Sequence, residues 1–203
     1  MIRRSFLALG AAALATPALV TSAQAQAISL DAVSGYLNRL RTAQGGFTQI
    51  NGDGTLSTGQ IFIKRPGRIR FEYNPPDNSL MVAGGGQVAI FDPRSNTGPD
   101  QYPLNQTPLK IILEENVNLG RARMVTGHTS DGTSTTITAQ DPDNPQYGNI
   151  KMVFTNNPVE LRQWIVTDDT GTQTTVILND LVPGAAIGEI KFNIVAEMNR
   201  WNN

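Results

Sequence analysis

Residues 61–76 read IFIKRPGRIRFEYNPP, and this stretch decides the fold class. Apolar and charged residues alternate in it, as they do where successive side chains point to opposite faces of a β-sheet. Ile69, Phe71 and Tyr73 fall on one face, and charged residues occupy the other. Arg65-Pro66-Gly67 interrupts the alternation, because proline removes a ladder donor and glycine permits a tight turn. We therefore predict a β-hairpin with an apolar inner face, a charged outer face and Arg65 at its corner.

The same period-two pattern recurs along most of the chain. It predicts strands at residues 47–50, 56–64, 68–73, 79–83, 87–92, 121–126, 134–139, 150–155, 159–167, 172–178 and, as a final strand, 188–194. Apolar residues at three- and four-residue steps predict an amphipathic helix over 29–43, ended by Gly45-Gly46. A second helix is predicted over 107–115, where Thr107-Pro108 forms its start. Residues 93–103 are polar and rich in turn formers.

Many strands and only two helices predict a mainly β protein of the α+β class. We expect an incomplete antiparallel β-barrel, strongly curved, with a lid of short α-helices over an apolar cavity. The pattern alone also allows a β-sandwich without a cavity. Aliphatic and methionine side chains would suit flexible acyl chains, because they offer area without directional demands. The predicted cavity wall consists of Ile61, Ile63, Ile69, Phe71, Leu80, Val82, Val88, Ile90, Met152, Phe154, Trp164 and Val166. The predicted apolar positions of the lid helices are Leu30, Val33, Leu37, Leu40, Leu109, Ile112 and Leu113.

The first 25 residues have the composition of a cleaved export signal and take no part in the fold prediction. Arg3 and Arg4 form a charged start, residues 6–20 are apolar, and Ala23-Gln24-Ala25 supplies the small residues that a signal peptidase needs. The apolar run is short for a membrane span. The paired arginines fit a twin-arginine signal, and an ordinary secretory signal fits equally well. Residues 26–203 are then a single mature domain.

Composition restricts the class of function. Without residues 1–25 the chain keeps 14 basic and 17 acidic side chains, and its formal charge of −3 argues against a dedicated binder of nucleic acids or anionic membranes. The sequence contains no cysteine, which excludes disulfides, thiolate chemistry and a lipidated N-terminal cysteine. We expect a soluble periplasmic protein whose fold is stabilised by its hydrophobic core alone.

No group of residues has the pattern of a catalytic or metal site. His128 is the single histidine, and Ser130 and Asp131 follow it too closely for the three to face one another as a triad must. Residues 141–144 lack the glycine and distal glutamate of an EF-hand loop and predict a solvated turn. The basic residues near the hairpin are better explained as a charged strand face than as a platform for single-stranded nucleic acid. The sequence therefore predicts no enzyme, no metal and no cofactor.

A longer set of residues around the hairpin resembles the LolA family of periplasmic lipoprotein carriers. Gly46-Phe47-Thr48-Gln49 is similar to the family's F-x-Q strand after its first helix, and Thr107-Pro108-Leu109 is similar to its T-P entry to a lid helix. The resemblance spans roughly residues 29–115. Residues 195–203 differ from the proline-containing ending of the family. Between residues 49 and 107, the positions that match the family are Gly59, Phe62, Lys64, Arg65, Pro66, Phe71, Tyr73, Pro75, Pro76, Val82, Phe91, Asp92 and Pro93.

The resemblance implies a half-barrel with a helical lid and a monomeric chaperone for acylated lipoproteins. It implies as partners an inner-membrane lipoprotein-releasing ABC transporter and an outer-membrane acceptor such as LolB, and no nucleic acid. In LolA-like carriers the arginine of the RP turn is thought to latch the lid, and Arg65 is the matching position. A general periplasmic binder of lipids or other hydrophobic ligands remains the alternative function.

Overall fold

One antiparallel sheet forms the framework of the protein, which a computed structural model describes over residues 26–121 and 123–201. The predicted export signal, residues 1–25, lies outside the described residues. The helices are α1 (Leu30–Arg39), α2 (Lys110–Leu113) and α3 (Ile194–Trp201), and 3-10 turns cover Leu104–Gln106, Pro145–Tyr147 and Glu189–Phe192. The strands are β1 (Thr42–Ile50), β2 (Leu56–Lys64), β3 (Arg68–Tyr73), β4 (Leu80–Gly84), β5 (Gln87–Phe91), β6 (Asp100–Pro103), β7 (Val125–Ser130), β8 (Ser134–Gln140), β9 (Asn149–Asn156), β10 (Val159–Thr167) and β11 (Gln173–Pro183).

The order of the strands leaves the sheet open. Neighbours in the 11-stranded sheet follow the order β6-β5-β4-β3-β2-β1-β11-β10-β9-β8-β7. Two meanders, β1 to β6 and β7 to β11, join where β1 pairs with β11. In the part of the chain that the structure describes, β6 and β7 are the two edges and do not pair with each other. The predicted incomplete antiparallel barrel is confirmed, and the two-sheet sandwich is wrong.

The sheet is strongly curved. Four steps between neighbouring strands separate β3 from β10, which in a flat sheet would place them roughly 19 Å apart. The rings of Phe71 on β3 and Trp164 on β10 instead meet edge to face, with 6.3 Å between their centroids. Both side chains are almost fully buried. The inner face of the sheet therefore closes around its own apolar side chains.

The β2–β3 hairpin has the register that its alternation predicts. Ile61 pairs with Phe71 and Ile63 with Ile69, so all four side chains share the inner face. All four are buried in one core cluster with residues of α1, α2 and most of the strands. The hairpin therefore supplies a large part of the inner apolar surface.

The two predicted helices are both shorter than expected. The first ends at Arg39, because Ala43 already lies in β1, where it is buried and paired with β2. The pairing of Ala43 with the distant strand β2 outweighs the local helical pattern at this position. Gly45 does not end the helix: a Cβ atom on it would lie 2.9 Å from the carbonyl oxygen of Asn179, so glycine lets β11 approach β1 at a bulge. The second helix, α2, keeps a single turn of the predicted 107–115 segment.

Three other segments also differ from the prediction. β7 covers Val125–Ser130 instead of 121–126, so His128 lies within this strand and pairs with Ile137. Residues 100–103, expected to be turns, form β6. Both are edge strands with exposed positions, so neither needs the apolar alternation that marks a buried strand. Residues 188–194 form no strand: the 3-10 turn Glu189–Phe192 occupies most of them, and α3 follows.

The C-terminal helix covers the outer face of β4 and β5. There Ile194, with Met198 and Trp201, packs against a second apolar cluster formed by Leu80, Val82, Ala89 and Phe91. Leu80 and Val82 were predicted to line the cavity, and this assignment is wrong. Phe71 pairs with Met81, so Met81 shares the inner face and its neighbours point outward. Residues 80–83 are apolar on both faces, and alternation alone cannot decide which face is the inner one.

The charged outer face of β3 is covered too. Arg70 is 8% exposed and its Nη1 lies 3.1 Å from Glu197 Oε1 on α3. The Arg70 Nε atom is 2.6 Å from Glu72 Oε1, which Lys191 also approaches. The outer face, which is charged as predicted, is thus partly an interface with the C-terminal segment. No sequence pattern had predicted the helix of this segment.

Candidate functional site

A cavity of about 590 Å³ lies between the inner face of the sheet and the segment that leads into α2. Strands from both meanders line it, because the curvature brings β3 to β6 opposite β10 and β11. Its apolar wall consists of Phe71, Met81, Val88, Ile90, Pro108, Leu109, Trp164, Val166 and Val176. Its polar lining consists of Gln49, Tyr73, Tyr102, Gln106, Thr107, Tyr147, Asp168, Asp169 and Thr174.

The predicted wall residues fall into three groups. Phe71, Val88, Ile90, Trp164 and Val166 line the cavity. A second group, Ile61, Ile63, Ile69, Met152 and Phe154, is packed into the core cluster and does not reach the cavity. Leu80 and Val82 form the third group, on the outer face under α3.

Sequence reasoning missed several lining residues. Met81 was missed because the phase of β4 was assigned wrongly, as its register with Phe71 shows. Val176 lies on β11 in the inward phase that a period-two pattern marks, and this signal was available in the sequence. Tyr102 lies in β6, and Tyr147 lies in a 3-10 turn. The sequence pattern predicted neither element, so it gave no indication that these side chains face the cavity.

An aromatic cluster forms the floor of the cavity. Phe47 meets Phe71 and Tyr73 edge to face, with ring centroids 5.0 and 5.1 Å apart. The hydroxyl of Tyr73 donates to Gln49 Oε1 at 2.8 Å. Burial raises the pKa of Tyr73 to about 12, against the opposing effect of this hydrogen bond, so the hydroxyl stays neutral. This part of the cavity wall is therefore aromatic and uncharged.

The polar end of the cavity and the Arg65 turn lie at opposite ends of the strands. Thr42, at the start of β1, pairs with Lys64 beside the Arg65 turn. Ile50, at the end of β1, pairs with Thr175, close to the Asp168 turn. The cavity therefore has its polar rim at one end of the half-barrel and the lid contacts of Arg65 at the other.

The lid helices α1 and α2 cover the inner face with apolar side chains. Of the predicted positions, Val33, Leu37, Leu40, Ile112 and Leu113 are buried in the core cluster. Leu30 and Leu109 are partly buried and pack against the same cluster. Ile111 is buried as well, so every residue of the α2 turn except Lys110 points into the protein.

Arg65 joins both lid helices to the sheet. Its guanidinium donates to the backbone oxygens of Leu37 in α1 and Glu114 just after α2, and Nη2 lies 3.3 Å from Asn38 Oδ1. The backbone of the turn makes matching contacts: the Gly67 amide donates to the Leu113 oxygen at 2.9 Å. These carbonyls stand at helix ends, where they lack partners within the helix. One side chain thus satisfies acceptors of two helices.

Closure over Arg65 has an electrostatic cost. The residue is 5% exposed, and its Nε is buried without a hydrogen-bond partner. Burial and repulsion from Arg41 lower the pKa of Arg65 to about 10, although Glu114 opposes the shift. A buried guanidinium that is incompletely paired is a poor source of net stability. The hydrogen bonds of Arg65 are therefore partly offset by the cost of burying its charge.

The segment after α2 is also attached to α1. The Asn38 side chain accepts from the Val117 amide at 2.8 Å and donates to the Val117 oxygen at 2.9 Å. The hydroxyl of Ser34 accepts from the Leu119 amide at 3.1 Å. These contacts link α1 to the segment that continues from α2, so the two helices are connected through this segment as well as through Arg65.

The polar residues considered as chemical sites have structural partners. His128 Nε2 lies 2.8 Å from the Ile28 oxygen, and the carboxylate of Asp131 accepts from the amides of Thr133 and Ser134. Among residues 26–121 and 123–201, no three acidic, histidine or cysteine side chains are grouped as metal ligands would be. Asp141, expected in a solvated turn, is instead buried and bonded to Lys110. Within the described residues no helix has the length and apolar character to cross a membrane.

Comparison with known proteins identifies the family. The family model "Outer membrane lipoprotein carrier protein LolA" matches residues 38–195. An outer-membrane lipoprotein carrier protein of Chromohalobacter salexigens is 25% identical over 195 residues, which cover 92% of this chain and 90% of the relative. One of Pseudomonas aeruginosa is 24% identical over 200 residues, with 95% and 93% covered. A solved LolA superfamily structure from Nitrosomonas europaea has a TM-score of 0.43 at 10% identity, over 82% of this chain and 98% of that one. Since the family model spans most of the chain, the protein belongs to the LolA family of outer membrane lipoprotein carrier proteins.

Proposed function

We propose that this protein is a chaperone that binds the acyl chains of lipoproteins released from the inner membrane and carries them through the periplasm to the outer membrane. One observation carries the proposal: a cavity with an apolar wall lies between the sheet and the segment that leads into α2, and a single buried arginine bonds to α1 and to the end of α2. The names of the relatives support it. The role is one of carriage, and no catalytic step is needed for it.

The size of the cavity indicates how cargo is accommodated. A methylene group fills about the volume of a water molecule in the liquid, roughly 30 Å³, so a chain of 16 carbons needs roughly 480 Å³. The cavity of about 590 Å³ therefore has room for one such chain. A lipoprotein with two or three chains requires more space than the closed protein offers. Loading then requires the lid helices to move away from the sheet.

Release of the cargo requires that closure of the lid over the empty cavity is favourable enough to offset the free energy of cargo binding. Each buried methylene contributes about 0.8 kcal/mol, so several acyl chains would bind too tightly to leave unless something opposes them. Arg65 is the latch that we propose. Its charged hydrogen bonds to the Leu37 and Glu114 oxygens, each worth roughly 1.5–3 kcal/mol, are lost when the lid opens. Cargo binding must offset that loss, and closure then favours release.

We also propose the cellular context. Residues 1–25 would direct export and be removed, by either the twin-arginine or the general secretory route. A lipoprotein-releasing ABC transporter of the inner membrane would load the mature monomer, and an outer-membrane acceptor such as LolB would receive the cargo. These partners are implied by the family to which the chain belongs.

A general carrier of free lipids is the second candidate, and the capacity for one chain favours it. A fatty acid or another single-chain lipid fits the closed cavity with no movement of the lid.

Native mass spectrometry of the protein purified from the periplasm separates the two. We expect complexes whose added mass is that of intact acylated lipoproteins, and we expect these masses to disappear after the lipoproteins are released by detergent. Masses of free lipid alone would favour the second candidate and contradict the proposal.

A further inference from the structure

An ion pair that the proposed mechanism does not use fastens the N-terminal end of α2 to the connection between β8 and β9. Lys110, the first residue of α2, places its Nζ 2.5 Å from Oδ2 of Asp141 in the loop between β8 and β9. The side chains are 26% and 10% exposed. The partners are 31 positions apart in sequence, so this contact is tertiary.

Asp141 is held ready for its partner by its own loop. Its carboxylate also accepts from the Asp143 amide at 3.0 Å and from Asn144 Nδ2 at 3.1 Å. Burial alone would raise the pKa of Asp141, but the hydrogen bonds from Lys110, Asp143 and Asn144 outweigh it and lower the pKa to about 2. The carboxylate is therefore ionised at neutral pH, and two of its donors come from its own loop.

The position of the pair relates it to the cavity. Thr107, Pro108 and Leu109, which directly precede Lys110, line the cavity. Tyr147, at the end of the 3-10 turn that follows Asp141 in the same connection between β8 and β9, lines it too. The ion pair thus links two segments of the chain that both contribute to the cavity wall.

We propose that Lys110 and Asp141 form a second latch, which fastens the N-terminal end of α2 beside the cavity while Arg65 fastens its C-terminal end. This inference rests on the proposed function as a carrier with a moving lid. A single helical turn attached at both ends cannot open fully by releasing Arg65 alone. Cargo entry between residues 107–109 and Tyr147 requires Lys110 to leave Asp141.

The pair suits repeated opening. When it separates, Asp141 keeps two donors from its own loop, and the ammonium of Lys110 is free to be hydrated at the surface. Neither partner is left buried and unpaired, which is the costly outcome of breaking a buried ion pair. The second latch therefore raises the threshold for opening by a modest amount.

Hydrogen exchange tests the latch without any cargo. The amides of Lys110, Ile111 and Leu113 are bonded within the turn, so a peptide covering 107–115 reports lid opening. We expect Lys110→Met to speed exchange of this peptide about tenfold, and Asp141→Asn to do the same. Lys110→Arg should restore exchange close to that of the wild type, and the double variant should add little to either single change.

A matched control separates the latch from loss of charge. Lys151→Met removes an exposed lysine on the outward phase of β9 and should leave lid exchange unchanged. Peptides from β2 and β3 should exchange as in the wild type in every variant, which establishes that the sheet is intact. Wild-type exchange of the 107–115 peptide in Lys110→Met would overturn the proposal, as would additive effects of the two single variants.

A second measurement distinguishes this proposal from the carrier function. The release rate of a single-chain fluorescent fatty acid should rise several-fold in Lys110→Met, because the opening beside the cavity is less restrained. Faster lid exchange and faster probe release together with no lipoprotein binding by the wild type would reject the carrier function and keep the latch. Normal lipoprotein transfer with unaltered lid exchange in both variants would reject the latch and keep the carrier.

Discussion

Arg70 of β3 and Glu197 of α3 form an ion pair at 3.1 Å, with side chains only 9% and 6% exposed. The pair lies on the outer face of the sheet, beside the apolar contact between α3 and the strands β4 and β5. It attaches the C-terminal helix to the same hairpin that carries Arg65 at its corner. The two faces of this hairpin therefore serve different purposes, the inner one for the core and lid and the outer one for anchoring α3.

Arg70→Met should destabilise the protein by about 3 kcal/mol, because it leaves the buried carboxylate of Glu197 with Arg200 as its remaining ionic partner. Arg68→Met is the matched control: Arg68 pairs with the exposed Glu189, and such a pair is worth about 0–1 kcal/mol. Urea unfolding followed by circular dichroism measures both. An equal decrease in the free energy of unfolding in the two variants would show that the buried pair contributes no more stability than the exposed one.

Arg65→Leu should still accept lipoprotein and fail to deliver it. The Leu37 and Glu114 oxygens lose their donor, so the closed state that drives release becomes less favourable, and we expect delivery to fall at least tenfold. A transfer assay from loaded carrier to acceptor membranes measures this, with Arg68→Leu as the control in the same hairpin. Normal delivery by Arg65→Leu would exclude a latch at this position.

Ile90→Glu should weaken acyl-chain binding by at least tenfold while the protein remains folded. Ile90 is half-buried and lines the cavity, so the carboxylate replaces apolar wall at the ligand surface. Ile69→Glu is a different case. Ile69 is fully buried in the core, so its replacement should prevent folding and cannot report on loading alone. Fluorescent fatty-acid titration of Ile90→Glu, with exposed Val182→Glu as control, measures the effect, and unaltered affinity would place Ile90 outside the ligand site.

The contribution of Asp141 to stability should disappear in acid. A carboxyl whose pKa is lowered by folding stabilises the protein above its unfolded pKa, about 3.9, and loses that contribution as the pH falls through the folded value, about 2. The difference in unfolding free energy between the wild type and Asp141→Asn should therefore be constant above about pH 5 and shrink between pH 4 and pH 2. A difference that is independent of pH in this range would mean that folding does not lower the pKa of Asp141.

Much of the fold was predictable because the decisive signals are local. The β2–β3 hairpin carries its period-two pattern and its turn within 16 residues, and the predicted strand 159–167 coincides with β10. The position of Arg65 at a corner also follows from Arg65-Pro66-Gly67. These features need no knowledge of what packs against them.

Other features depend on partners distant in sequence. The phase of Leu80 and Val82 is decided by register with β3, since residues 80–83 are apolar on both faces. Ala43 is a strand residue because of its pairing with Ile63. No sequence pattern connects Lys110 with Asp141, which bond to each other in the structure. The residues around Asp141 predict only a turn at the surface. In each case a tertiary contact overrides the local preference.

The unpaired edges β6 and β7 give the half-barrel a seam. Widening the gap between these edges breaks no hydrogen bond of the sheet in the part of the chain that the structure describes. The proposed entry of bulkier cargo would therefore spare the backbone ladders, and the Lys110–Asp141 pair would resist the widening. A half-barrel that is open in this way can adapt the volume of its cavity to the cargo while the hydrogen bonds of its sheet stay intact.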